Sequence, residues 1–231
     1  MNTDKLSKRL ETAVKYITGG TVADIGSDHA YLPCYSVKKG IVSRAIAGEV
    51  VEGPFQSAKR QVASEGLTDV IDVRKGSGLS VVNPNEVHSV TICGMGGALI
   101  AEILEADKEV TQTMQRLILQ PNISAISIRE WLVNNGWGLV AEEILEEDGK
   151  IYEVLVAEKT EEKPSYSELE MLVGPYLLKE KNAAFIKKWE GEVRNWERIL
   201  GHLETAQATE ENEQRKQAIK AQLEMVQEVI R

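Results

Sequence analysis

The segment Ala23-Asp24-Ile25-Gly26-Ser27-Asp28-His29-Ala30 follows a short apolar run and opens a helical pattern. That is where an open α/β sheet presents a small ligand. Only part of the fingerprint G-x-G-x-x-G is there. Gly26 supplies the tight turn, but Asp28 stands where a second glycine would let backbone approach a pyrophosphate. A carboxylate repels a diphosphate and attracts an ammonium. The loop, with Asp24, Gly26, Asp28 and His29, therefore suits a ligand with a cationic amino-acid head and no phosphate, such as S-adenosylmethionine. The plainer alternative is an Asp that only caps the next helix. Glu49 ends the second apolar run, 23 positions after Gly26. A carboxylate there holds ribose hydroxyls by charge-assisted hydrogen bonds.

Three further loops carry polar or glycine-rich chemistry. In Arg74-Lys75-Gly76-Ser77-Gly78-Leu79, Ser77 can accept weakly from an adenine amino group, or the stretch is simply a glycine-rich turn. In Ile92-Cys93-Gly94-Met95-Gly96-Gly97-Ala98, Gly94, Gly96 and Gly97 let backbone come close to a ligand or take positive φ. Met95 is either a floor beneath the ligand or core. In Gln120-Pro121-Asn122, Gln120 and Asn122 can hydrogen-bond an adenine edge, or Asn122 only starts a turn. His29 either orients a ligand or is structural, and Tyr31 either stacks on a base or packs. His29, Tyr31 and Asn122 are the candidates for contact with the reacting groups. Cys34 and Cys93 are too few for a disulfide framework or a cysteine zinc site and are expected to be inert.

The elements that must position these loops are legible from hydrophobic pattern. Residues 21–25, 44–47, 70–73, 90–93 and 117–119 are near-continuous apolar runs, as strands buried on both faces should be. Gly53-Pro54 opens an intervening helix, with Pro expected at its first position, and Gly66 closes it. After a helix over 126–135, the runs 137–144 and 151–156 flank Asp148-Gly149, a hairpin signal. The expectation is an α/β, Rossmann-like seven-stranded sheet ending in an antiparallel hairpin. This is the pattern of a class I methyltransferase domain, whereas a dehydrogenase more often closes with another parallel strand. Apolar residues from Leu6 to Ile17 predict an amphipathic helix over 4–17. The charged stretch 158–164 reads as a linker. Beyond it, Gly174-Pro175 breaks a short helix, and Ile186, Trp189, Val193, Trp196, Leu200 and Leu203 follow helical spacing, as do Ile219, Leu223, Val226 and Ile230. Thr209 is placed to N-cap the last helix. The expected division is 1–160, a Rossmann-like domain, and 161–231, a helical coiled-coil-like appendage.

The 231 residues, 42% hydrophobic and 27% charged, exclude a wholly disordered chain. With 36 acidic and 27 basic residues the formal charge is -9, which excludes a generally basic nucleic-acid coat. The acidity is spread over both parts: residues 1–160 hold 22 acidic and 16 basic, residues 161–231 hold 14 and 11. Residues 1–40 are the reverse, with six Lys/Arg against four Asp/Glu. Lys5, Lys8 and Arg9, with Lys15, form a local patch that can meet nucleic-acid phosphates. Lys179, Lys181, Lys187, Lys188, Arg194 and Arg198 read rather as a solvated helix face. No apolar run approaches the roughly 18 residues of a membrane span, and no leader is evident. The expectation is a cytoplasmic protein with no metal and no membrane partner, monomeric by preference.

Taken together, Leu6-Ser7-Lys8-Arg9-Leu10, the run Ala23 to Pro33 with Asp28-His29-Ala30-Tyr31-Leu32-Pro33, Gly48-Glu49, Gly94-Met95-Gly96-Gly97 and Gln120-Pro121-Asn122 resemble the bacterial tRNA adenine-22 N1-methyltransferases. The resemblance covers nearly the whole chain. It implies methyl transfer from S-adenosylmethionine to N1 of an adenosine in the tRNA D-loop. It also implies that Asp28, Glu49 and Gly94–Gly97 line the cofactor site, with Arg9, His29 and Tyr31 nearby. Ser77 departs from the family pattern, where Asp is usual. The chemistry needs no general base: adenine N1 carries a free lone pair, so positioning and electrostatics suffice. The alternatives are a small-molecule methyltransferase whose appendage is a lid or dimer element, a nicotinamide-dependent oxidoreductase, and a non-enzymatic interaction protein.

Overall fold

A computed structural model describes residues 2–205 and 209–231. It forms two compact units, Met1–Ser165 and Tyr166–Arg231. The first unit carries β1 (Thr21–Ile25), β2 (Arg44–Glu49), β3 (Ile71–Lys75), β4 (Ser89–Gly96), β5 (Arg116–Ile123), β6 (Trp137–Glu147) and β7 (Lys150–Lys159) in one sheet of order β3-β2-β1-β4-β5-β7-β6. The first five strands are parallel, while β7 runs antiparallel to β5 and to β6. The central strands are buried on both faces: Val22, Ala23, Val90, Ile92, Leu117, Ile118 and Leu119 are all in the core. This is the seven-stranded Rossmann-like sheet with a closing hairpin that the apolar runs and Asp148-Gly149 predict.

Connecting helices are α1 (Lys8–Val14), α2 (Tyr31–Lys38), α3 (Glu52–Ser64), α4 (Gly97–Ala106), α5 (Lys108–Thr111) and α6 (Ala125–Asn134), with a 3₁₀ turn at Gly78–Val81. The first helix is shorter than its periodicity over 4–17 predicts. Ahead of it, Asn2 Oδ1 accepts from the backbone N–H groups of Asp4 and Lys5 at 3.0 and 2.8 Å, a local turn that competes with helix. Thr3 is buried and donates to Glu65, and Lys38 ties Asp4 to Glu65. Helix α3 starts at Glu52, so Pro54 lies third rather than first.

The closing hairpin is pinned to α6 by a buried ion network. Arg129 is fully buried, its Nε donating to Glu142 at 2.8 Å and a terminal nitrogen to Glu153 at 2.8 Å. Burial opposes the guanidinium charge, but the two carboxylates outweigh it and raise the pKa.

The second unit contains α7 (Glu168–Val173), α8 (Pro175–Glu180), α9 (Ala183–Thr205) and α10 (Glu210–Ile230). Ser167 and Glu170 form a capping box at α7, and Gly174 at φ 96 breaks the chain before α8. The Thr209 hydroxyl accepts from Asn212 N–H at 3.2 Å, capping α10. Helices α9 and α10 pair antiparallel, with Lys181 Nζ, at the C-cap of α8 just ahead of α9, donating to the Val229 carbonyl near the end of α10 at 3.1 Å. Phe185, Trp189, Val193, Trp196 and Leu203 bury their side chains from α9, as Ile219 and Val226 do from α10. Trp189 and Trp196 are thus packing residues. Among the described residues no helix is long and apolar enough to cross a membrane.

Candidate active site

The strand order reverses between β1 and β4, so a crevice opens past their C-terminal ends. On the β1 side, Gly26 takes φ 72, and the N–H groups of Gly26 and Ser27 both donate to the Gly48 carbonyl, at 2.9 and 3.1 Å. Asp28 and Ala30 are also left-handed, at φ 52 and 54. Non-glycine residues adopt that region rarely, and here the flanking hydrogen bonds hold it. The turn throws the Asp28 carboxylate outward, 63% exposed, and His29 lies 3.6 Å from it. The His29 and Tyr31 rings stack, centroids 5.3 Å apart.

Glu49 is buried at the end of β2 with its carboxylate pinned. Oε1 accepts from Val50 and Val51 N–H at 2.9 and 3.0 Å, and Oε2 from Asp28 N–H at 3.3 Å. Both loops are therefore built around one oriented anion. Beneath them, Asp24 is buried, accepting from Ser27 Oγ and Thr91 Oγ1, each at 2.6 Å. Burial pushes its carboxyl up to about 6, against the hydroxyl bonds and the Arg9 charge that pull it down. Asp24 is thus the anchor under the turn.

On the β4 side, the strands run further than the apolar pattern indicates. β4 continues to Gly96 and β5 to Ile123, pairing irregularly with shifts at Met95. Gly94 takes φ 80, and its carbonyl accepts from Asn122 Nδ2 at 2.7 Å. Met95 folds its methyl against Gly26, where a Cβ would collide with it, so it bridges the two loops. Gly97 begins α4 and has no space for a Cβ, which would meet the Ser124 carbonyl. Its role is close helix–strand packing.

Arg9 departs from the expected solvent-facing patch. It is half-buried, donates to Gln120 Oε1 at 2.6 Å, and lies 5.6 Å from the centroid of the Tyr152 ring. Glu147, from the far hairpin, accepts from Lys8 and Arg9 N–H at 2.6 and 3.3 Å and so caps α1. Gln120 is completely buried, its other end donating to the Pro121 carbonyl at 2.9 Å, so it serves as a strut under Arg9. Lys5 and Lys8 remain exposed, as does Ser77 after β3. Glu147, Thr91 and Tyr152 are the contributors that sequence reasoning missed; each acts on a partner distant in the chain, with no local spacing to mark it.

The crevice encloses a small cavity of about 70 Å³ bordered by Arg9, Asp24, Gly26, Asp28, Tyr31 and Cys93. A larger groove, about 260 Å³, opens at the opposite end of the strands near Thr21 and Arg44, away from these groups. The smaller one matters, because the Gly26 bend, the carboxylates of Asp24 and Asp28 and the Arg9 guanidinium border it. Cys34 and Cys93 are free, and burial first of all pushes both thiols up, Cys34 to about 12. Both are therefore poor nucleophiles. Among the described residues no cluster of His, Cys, Asp and Glu could hold a metal ion.

A Rossmann-like sheet closed by an antiparallel hairpin, with a glycine bend over a pinned acidic residue, defines the domain as a methyltransferase of class I. Residues 22–228 match the family of tRNA (adenine(22)-N(1))-methyltransferases, and the chain belongs to that family. The tRNA (adenine(22)-N(1))-methyltransferase of Bacillus subtilis strain 168 is 53% identical over 235 residues, covering 100% of this chain and 99% of that one. The crystal structure of the B. subtilis m1A22 tRNA methyltransferase superposes with a TM-score of 0.92 at 50% identity, over 99% of this chain and 100% of that one. A family member from M. capricolum, solved with the natural cofactor product S-adenosylhomocysteine, superposes with a TM-score of 0.85 at 30% identity, over 98% and 99%.

Proposed function

We propose that this chain transfers the methyl group of S-adenosylmethionine to N1 of an adenosine in tRNA, the adenosine at position 22. The observation that carries the reading is the pinned carboxylate of Glu49 beside the open carboxylate of Asp28, in a chain of this family. Both fit the cofactor. Glu49 has both oxygens oriented by backbone N–H groups, which leaves lone pairs for ribose hydroxyls. Asp28 offers negative charge to an amino-acid ammonium, and the bend at Gly26 brings backbone close. Gly94, Met95 and Gly96 wall the other side. When bound, S-adenosylmethionine supplies an electrophilic methyl group on a sulfonium.

The protein's own residues then have a positioning task. Adenine N1 attacks with its ring lone pair and the product base carries the positive charge, so no proton has to be removed first. Asn122 spends its amide nitrogen on the Gly94 carbonyl and keeps Oδ1 for an adenine edge. The stacked His29 and Tyr31 rings offer a face to the base. Arg9, held by Gln120 and Glu147, faces this crevice instead of RNA phosphates, which leaves Lys5 and Lys8 as the phosphate contacts of the N-terminal segment. The catalytic domain is assigned to residues 1–160 and a separate helical domain to 161–231. The chain acts as a cytoplasmic monomer. Incubating unmodified tRNA with labelled S-adenosylmethionine and mapping the methylated nucleotide tests the reading. Label at N1 of adenosine 22 is expected; no label, or label on another atom, refutes it.

A further inference from the structure

Six large apolar side chains are exposed among the described residues, and four of them lie on one rim: Val50, Val51, Leu99 and Ile123, at the C-terminal edge of the sheet. Scattered singly, exposed apolar residues need no explanation, but gathered at one edge they mark a contact surface. The rim has two halves. Val50 and Val51 follow Glu49 and belong with the cofactor loops. Leu99 and Ile123 belong to the other half, beyond β4 and β5.

Ile123 is the extreme case at 73% exposure. Its position is fixed from both sides. Before it, Asn122 is tied to the Gly94 carbonyl. After it, Ser124 takes the left-handed φ of 57 and its hydroxyl bonds Ser127 at 2.9 Å. The Ser124 carbonyl sits against Gly97, so the turn cannot move toward α4. Ile123 pairs in register with Gly96, at the end of the glycine stretch. An apolar side chain is thus held rigidly outward at the mouth of the transfer site. The two segments that carry these side chains are themselves uncharged: residues 91–101 and 117–128 contain no charged side chain, in a chain that is 27% charged, and the Arg9 guanidinium meets them at Gly94 and Gln120, on the cofactor side. A surface of this kind suits bases and does not suit phosphates.

We propose that Ile123, with Leu99 from the first turn of α4, is the apolar wedge that packs against the bases neighbouring the target adenosine when that base leaves its stack. The inference rests on the tRNA reading above and adds to it the surface that stabilises the unstacked substrate. N1 lies on the Watson–Crick edge, so a base stacked and paired inside an RNA structure cannot reach the methyl group. Unstacking costs a few kcal/mol, and Ile, Leu, Phe and Met are the side chains that proteins insert to cover opened base steps.

The test uses the full-length chain with Ile123→Ala, and with Ile123→Leu as the conservative variant. Calorimetry reports S-adenosylmethionine affinity, steady-state kinetics report kcat/KM on tRNA, and tRNA carrying 2-aminopurine in place of the target adenosine reports unstacking by fluorescence. Ile123→Ala is expected to keep cofactor affinity within about two-fold, to lower kcat/KM on tRNA roughly ten-fold, and to weaken the fluorescence rise, while Ile123→Leu keeps the affinity and restores the other two. Wild-type kinetics and fluorescence in Ile123→Ala overturn the wedge. So does a wild-type dimer in sedimentation that Ile123→Ala dissolves with tRNA methylation unchanged, since the patch is then a contact between copies. A wild type that leaves tRNA unmethylated removes the functional reading itself, and the wedge with it.

Discussion

Asp24 makes the pH dependence of stability a sharp test of the site. Its carboxyl is buried under the glycine turn and titrates at about 6, against 3.8 for an ordinary Asp. Desolvation is the main cause; the bonds from Ser27 and Thr91 and the charge on Arg9 only partly offset it, and Glu49 adds to it. The native state therefore binds this proton more tightly than the unfolded state. The contribution to stability is complete below pH 3.8 and is lost as pH rises through 6. Two pKa units correspond to about 3 kcal/mol. Asp24→Asn mimics the protonated acid, keeping one acceptor and one donor against two hydroxyls that can turn either way. Urea unfolding of both proteins from pH 4 to 7.5 isolates the effect, because carboxylates with depressed pKa such as Glu86, at about 2 beside Arg74, cancel in the difference. The variant is expected to match the wild type near pH 4 and to exceed it by about 2–3 kcal/mol at pH 7. A difference independent of pH would refute the claim that burial dominates at Asp24.

Other expectations concern separate parts of the molecule. Glu49→Ala removes the acceptor of three backbone N–H groups and should weaken S-adenosylmethionine binding ten-fold or more, roughly one or two charge-assisted hydrogen bonds; unchanged affinity by calorimetry would end the ribose assignment. Arg129→Met strands Glu142 and Glu153 in the core and should cost about 3–5 kcal/mol in urea unfolding. A loss under about 1 kcal/mol would mean that the carboxylates find other relief. Reversing Lys5 and Lys8 to Glu should weaken tRNA binding and flatten its salt dependence without changing cofactor affinity; if neither the affinity nor the slope moves, the N-terminal lysines do not touch RNA.

How far the fold could be read in advance follows from its physics. Parallel strands buried on both faces leave continuous apolar runs, so β1, β4 and β5 were locatable from residues 21–25, 90–93 and 117–119. Their ends were not, because Gly94–Gly96 and Gln120–Ile123 are held in the sheet by cross-strand pairing that no local propensity reveals. The cofactor loops were legible because Gly26 and Glu49 act through short-range backbone geometry. Arg9 reads two ways, as part of the basic patch by spacing and as a neighbour of the cofactor loops by family resemblance, and its contacts lie on the second side. Helical spacing puts it beside Lys5 and Lys8, but its direction is set by Gln120 and Glu147, more than a hundred residues on. The amphipathic pattern over 4–17 runs ahead of the start of α1 at Lys8 because the turn at Asn2 and the anchor at Thr3 compete with helix there.

The placing of β7 inside the sheet has a consequence for synthesis. It is the last strand made, yet it lies between β5 and β6. As the chain emerges from the ribosome, β5 keeps a bare hydrogen-bonding edge until residues 150–159 are free, and β6, already made, pairs with β7 alone. An apolar strand with an unpaired edge is the place where nascent chains join one another.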